Sequence, residues 1–110
     1  MNGFYSVYFT GTSGSGFGLL ALKDGVIVGV DVTGGKFDGQ YQVAGDHIEG
    51  GLRVSLPPGV ISITGHPAGP QGLVLEYPLR LPINLGEGHT MPMPTPYGPI
   101  NMIVKKLRDL

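Results

Sequence analysis

The chain has 110 residues, among them 20 Gly, 10 Pro and no Cys, with a net charge of −1. That length predicts one domain, residues 1–110, built around one core, and the lack of Cys excludes a disulfide framework and any thiolate zinc site. Neither half of the chain clusters Lys and Arg as a phosphate backbone requires, so nucleic acid is not an expected partner.

Alternation dominates from the first residues onward. Phe4–Thr10 places Tyr5, Val7 and Phe9 on one face. Gly11–Gly16, "GTSGSG", reads as a hairpin loop. Gly16–Lys23 is apolar on both faces, with Phe17, Leu19 and Ala21 opposite Leu20 and Leu22. Asp24-Gly25 is a strong hairpin signal, and Val26–Thr33 follows. There the four valines at 26, 28, 30 and 32 read as the inward face, which turns Asp31 outward.

Lys36–Val43 and His47–Leu56 each set an apolar face against a polar one. Val60–Thr64, "VISIT", is a short strand candidate. Leu73–Leu81 alternates too, but Pro78 within it predicts an edge position or a bulge, so the sheet is expected to open beside that strand. Residues 84–99 hold Pro92, Pro94, Pro96 and Pro99 and read as a long Pro-rich loop. Ile100–Leu107 is a last strand, although a short terminal helix also fits. The expected fold is all-β, an antiparallel up-and-down barrel of about eight strands.

The N-terminus lacks a basic region followed by an apolar stretch of signal length, and no apolar run approaches the ~20 residues that span a bilayer. A cytoplasmic protein that does not enter membranes is the expectation.

Catalytic motifs fail on inspection. Gly11 and Gly16 have P-loop spacing, but Phe17 and Gly18 stand where Lys and Ser/Thr must follow. The same stretch ends in Leu19 rather than the last Gly of a dinucleotide fingerprint, and Ser13 lacks the Gly of a nucleophile elbow. His47, His66 and His89 share no close metal-site spacing. Asp46, His47 and Glu49 gather at one turn, where they serve better as a weak partner-binding loop than as an acid–base site. No enzymatic activity, metal or cofactor is expected.

Two surfaces remain. Tyr5, Phe9, Phe37, Tyr41, Leu75 and Tyr77 fall on inward-reading faces and are candidates to line a cavity for a small apolar or lipid-like ligand. Phe17, Leu19, Leu20, Leu22 and Ile103 lie on strands apolar on both sides and are candidates for a self-association patch.

"NGFYSVYF", "GLLALKDGVIVGVDVTGGKFDGQYQV" and "GDHIEGGLRVSLPPG" together resemble the GrlR-like family, small bacterial negative regulators of type III secretion. The similarity covers residues 2–64 as a strand-and-turn pattern, not a catalytic signature. It implies a lipocalin-like barrel, a homodimer, no enzymatic activity, and regulation through a protein partner such as a transcriptional regulator. It also implies an apolar cavity. The family's acidic partner-binding loop falls on Ala44, Gly45, Asp46 and His47, where only Asp46 keeps the charge and Glu49 stands nearby. Charge complementarity toward the family's partner is thereby reduced.

Overall fold

A computed structural model describes Met1–Leu110. The chain forms eight strands and no helix: β1 (Gly3–Gly11), β2 (Gly14–Lys23), β3 (Val26–Asp31), β4 (Lys36–Ala44), β5 (His47–Leu56), β6 (Leu73–Pro82), β7 (Glu87–Thr95) and β8 (Gly98–Asp109). All pairings are antiparallel, in one sheet of order β6-β5-β4-β3-β2-β1-β8-β7. β1 pairs with β8, so the sheet curls back on itself in cyclic chain order and is a barrel in all but one seam, between β6 and β7. No helix is long and apolar enough to cross a membrane.

The turns set the register. Asp24 (φ 50°) and Gly25 (φ 84°) form a two-residue loop with positive φ at both positions, which matches strand twist and favours Asp-Gly. It pairs Lys23 with Val26 and Leu22 with Ile27. Gly50 meets a different demand. A Cβ there would collide with the Gln40 carbonyl oxygen, so its lack of side chain lets β4 and β5 approach as the sheet bends.

The seam has a chemical cause. β6 carries Pro78 and Pro82, and β7 carries Pro92 and Pro94. Within each strand the two prolines lie an even number of residues apart, so their missing N–H groups are lost from the same strand edge. β6 still pairs with β5 along its whole length, and β7 with β8 except at an irregularity between Glu87 and Thr90. The depleted edges are the two that face each other across the seam. The opening expected beside Leu73–Leu81 lies there.

Three expectations need correction. Val60–Thr64 is not a strand; it contributes a single bridge, Ile61 to Pro67, in the long β5–β6 connection. Residues 84–99 are not one loop, because β7 occupies most of them. "MPMPT" alternates with Met91 and Met93 buried and Pro92 and Pro94 exposed, a pattern an edge strand tolerates. The valine face of β3 points outward, not inward. Val28 and Val30 are about half exposed (52% and 54%), while Ile27 is buried. The terminal segment is a strand, β8.

The core runs along the barrel axis. Tyr5, Val7, Leu22, Ile27, Ile48 and Val104 are among its most buried members. No polar or charged residue is buried.

Candidate functional site: a lidded apolar cavity and an apolar outer face

The barrel ends differ. One end carries the β2–β3, β4–β5 and β6–β7 turns and is filled. Tyr5 and Tyr41 are buried within the core cluster there, with Met1 packed against it. The Tyr5 hydroxyl donates to the Met1 carbonyl (2.6 Å). Burial raises the Tyr5 phenol above its ordinary pKa, opposed in part by the nearby Lys106 cation.

Beyond this plug the interior is hollow. A cavity of about 230 Å³ is walled by apolar side chains from all eight strands and reaches from Leu22, Ile48, Leu81 and Leu85, next to the turns of the filled end, to the opposite mouth. Phe9, Phe37, Leu75 and Tyr77 line it as well. Phe9 and Phe37 meet edge to face, 6.3 Å between centroids. Tyr5 and Tyr41, expected on the same wall, contribute to the filled end instead. Inward parity alone does not set depth along the axis.

The β5–β6 connection, residues 57–72, spans the mouth, and Val60–Thr64 face the cavity. It is tied down from several sides. Ser13 N–H donates to the Ile63 carbonyl (2.9 Å), while Ser62 N–H donates to the His66 carbonyl (3.0 Å) within the lid itself. The His66 ring stacks on Tyr97 of the β7–β8 turn, 3.9 Å between centroids and 9° from parallel. The connection is a lid clamped to two neighbouring turns. "GTSGSG" therefore has a role as the lid's anchor: its backbone at Ser13 holds Ile63.

The mouth is polar without being basic. Ser13, Ser15, Thr33, Ser62, Thr64 and Thr95 bring hydroxyls to it. Asp31, expected to point outward, lies on the cavity side. Its Oδ1 accepts from Thr33 N–H (2.9 Å), Thr33 Oγ1–H (2.7 Å) and Gly35 N–H (2.8 Å). The carboxylate thus ties the β3–β4 turn, as Asp commonly does two residues ahead of itself. Tyr77 sits on the cavity wall, and burial pushes its phenol pKa up to about 12.

The Asp46–His47–Glu49 group lies at the opposite end, on the β4–β5 turn. His47 Nδ1 is 3.3 Å from Asp46 Oδ1 and its Nε2 is 3.4 Å from Glu49 Oε2. The Asp46 side chain is fully exposed, and its carbonyl accepts from Ile83 N–H on the β6–β7 turn (2.9 Å). The group is a charged tip far along the chain's turns from the lid.

The outer wall of β1–β3 is apolar. Phe4, Tyr8, Phe17, Leu19, Val28 and Val30 are each close to half exposed. They are adjacent in register: Tyr8 opposite Phe17, Leu19 opposite Val30, Ala21 between Phe4 and Val28. Ile103 extends the row beyond Tyr8, on β8. Lys36 and Asp38 on β4 and Lys105 and Arg108 on β8 form polar borders. Phe17, Leu19 and Ile103 belong to this face. Leu20 and Leu22 do not, because alternation turns them inward, where Leu22 is buried and Leu20 lines the cavity. The outward valines of β3, missed as a surface, replace them.

Comparison with protein-family models, curated proteins and solved structures finds no match.

Proposed function

We propose that this protein is a small, non-enzymatic regulatory barrel that works by protein contact as a dimer. The observation that carries the reading is the outer face of β1–β3. Six large apolar side chains stand together in register at close to half exposure, with charged borders on both sides. Soluble monomers rarely leave such a patch uncovered. A flat apolar patch suits an isologous contact, in which each copy presents the same surface to the other. The resemblance of residues 2–64 to the GrlR-like negative regulators of type III secretion supports a regulatory role in the bacterial cytoplasm and a transcriptional regulator as partner. The exposed carboxylate of Asp46, with His47 and Glu49 beside it, is the proposed partner-binding tip. Affinity capture from the native cytoplasm tests this. The intact protein recovers a regulatory protein, and Asp46→Lys recovers markedly less of it. Equal recovery by both, or capture of no regulator under any growth condition, contradicts the reading.

A second reading has its own observation, the lidded cavity. Its apolar wall and single polar end suit a small apolar or lipid-like ligand. Leu52→Trp, which fills the cavity from β5, is expected to abolish binding of a neutral apolar dye. Undiminished dye binding by that variant places the dye elsewhere and removes the support for this reading.

A further inference from the structure

The chemistry of the cavity wall narrows the ligand class, an inference that rests on the second reading above. No Lys, Arg or His side chain lines the cavity. Its one carboxylate, Asp31, already accepts three hydrogen bonds through Oδ1 at the mouth. An anionic head placed there would meet a like charge and no cation. Leaving a charge in an apolar site without a partner is strongly unfavourable.

The wall does offer one unengaged polar group. The Tyr77 hydroxyl, on a half-buried residue, makes no hydrogen bond within the protein, whereas the Tyr5 hydroxyl donates to the Met1 carbonyl. Every buried polar side-chain atom of the protein has a partner, so the unpaired Tyr77 hydroxyl is an accessible one, free to engage a ligand. Tyr77 lies on β6, beside the seam where the wall lacks a ladder of backbone bonds. A hydroxyl on an apolar wall is suited to hold a neutral oxygen acceptor.

Size sets a further limit. At about 230 Å³ the cavity falls below the ~300–1,000 Å³ of common ligand pockets. It exceeds the roughly 150 Å³ that accommodates benzene. A single short chain or ring fits; a two-tailed lipid does not.

We infer that the cavity takes a small, uncharged, single-tailed amphiphile whose oxygen accepts a hydrogen bond from the Tyr77 hydroxyl while its head meets the serine and threonine hydroxyls under the lid. A fatty-acid anion of the same length is disfavoured. Tyr77 is then a specificity determinant, and the mouth hydroxyls replace the basic residues that an anion site requires.

Displacement of N-phenyl-1-naphthylamine, a neutral fluorescent dye, by 1-decanol and by decanoate at pH 8 tests the inference. Decanol displaces the dye from the intact protein at a concentration at least about tenfold below that needed with decanoate, as a charged head without a partner requires. Tyr77→Phe weakens decanol by about three- to tenfold, the loss of one hydrogen bond. Dye affinity is measured for the same variant, and decanol affinity is calculated against it. Dye bound equally by Leu52→Trp means that the cavity is not the binding site, and the underlying reading fails with the inference. Dye bound in the cavity but displaced equally by decanol and decanoate overturns the charge argument alone. A Tyr77→Phe protein that folds, binds the dye and retains full decanol affinity removes the role given to Tyr77.

Discussion

Tyr77 and Asp31 show how single polar groups behave on an apolar wall. The Tyr77 phenol is held neutral by burial, with its pKa raised to about 12. In the unfolded chain a tyrosine ionises near pH 10. The neutral phenol therefore adds no pH dependence below pH 10. Between pH 10 and about 12 the unfolded state loses its proton first, and the stability tied to Tyr77 is lost as pH rises through that window. The difference corresponds to roughly 2–3 kcal/mol at full effect. Urea unfolding at pH 9 and pH 11.5 checks this: Tyr77→Phe shows a smaller loss between the two pH values than the intact protein. Asp31 acts through geometry. Three donors converge on one oxygen, so Asp31→Ala leaves turn N–H groups without their acceptor and is expected to cost about 1–3 kcal/mol in chemical denaturation. Its placement was hidden from the sequence by the valines beside it. Alternation separates two faces of a strand without saying which is inside. The deciding signal was present in the Asp24-Gly25 turn. A two-residue loop pairs Leu22 with Ile27, so burial of Leu22 carries Ile27 inward and the valines outward.

At the scale of elements, the strands with polar and apolar faces were legible, as were the hairpins that join them. β4 and β5 begin at the residues their alternation indicates, Lys36 and His47. β7 was not legible, because Pro argues against a strand unless the strand is an edge, and edge status depends on the closed topology. The same prolines make a testable contribution. By removing donors along the seam they block a ready-made edge from pairing with other chains. Replacing Pro92 and Pro94 with Thr restores those donors and is expected to produce larger assemblies, seen as earlier-eluting or scattering species in size-exclusion chromatography. An unchanged elution profile contradicts that role. The lid also has a strand-like sequence, "VISIT", yet its apolar residues cover a mouth instead of joining a ladder. Its clamp is the His66–Tyr97 stack. Tyr97→Ala is expected to speed dye release from the cavity several-fold in stopped-flow measurements, with little change in the unfolding midpoint. Slower or unchanged release shows that the lid does not control access.

On the scale of the whole molecule, the fold separates three features. The cavity's mouth and lid occupy one end, a charged turn the other, and an apolar face one side. The inward aromatics were legible as candidates for a cavity wall, but neither the hollow interior nor its position was. Side-chain parity distinguishes inside from outside, whereas depth along the axis follows from strand stagger and from the long lid, both properties of the assembled barrel. The outer face was half legible. Phe17, Leu19 and Ile103 were identified from two-sided apolar strands, and Leu20 and Leu22 were misassigned for lack of an inside reference. Covering the remaining exposed area of six such side chains contributes roughly 1 kcal/mol each before the cost of association.

The central claim is that the β1–β3 face meets a second copy of itself. Sedimentation equilibrium across micromolar concentrations tests it most directly. The intact protein is expected to sediment at twice the 11.5 kDa chain mass, and the folded double variant Leu19→Lys, Val30→Lys at the chain mass. An intact protein that stays at the single-chain mass throughout, or a variant that remains dimeric, contradicts it.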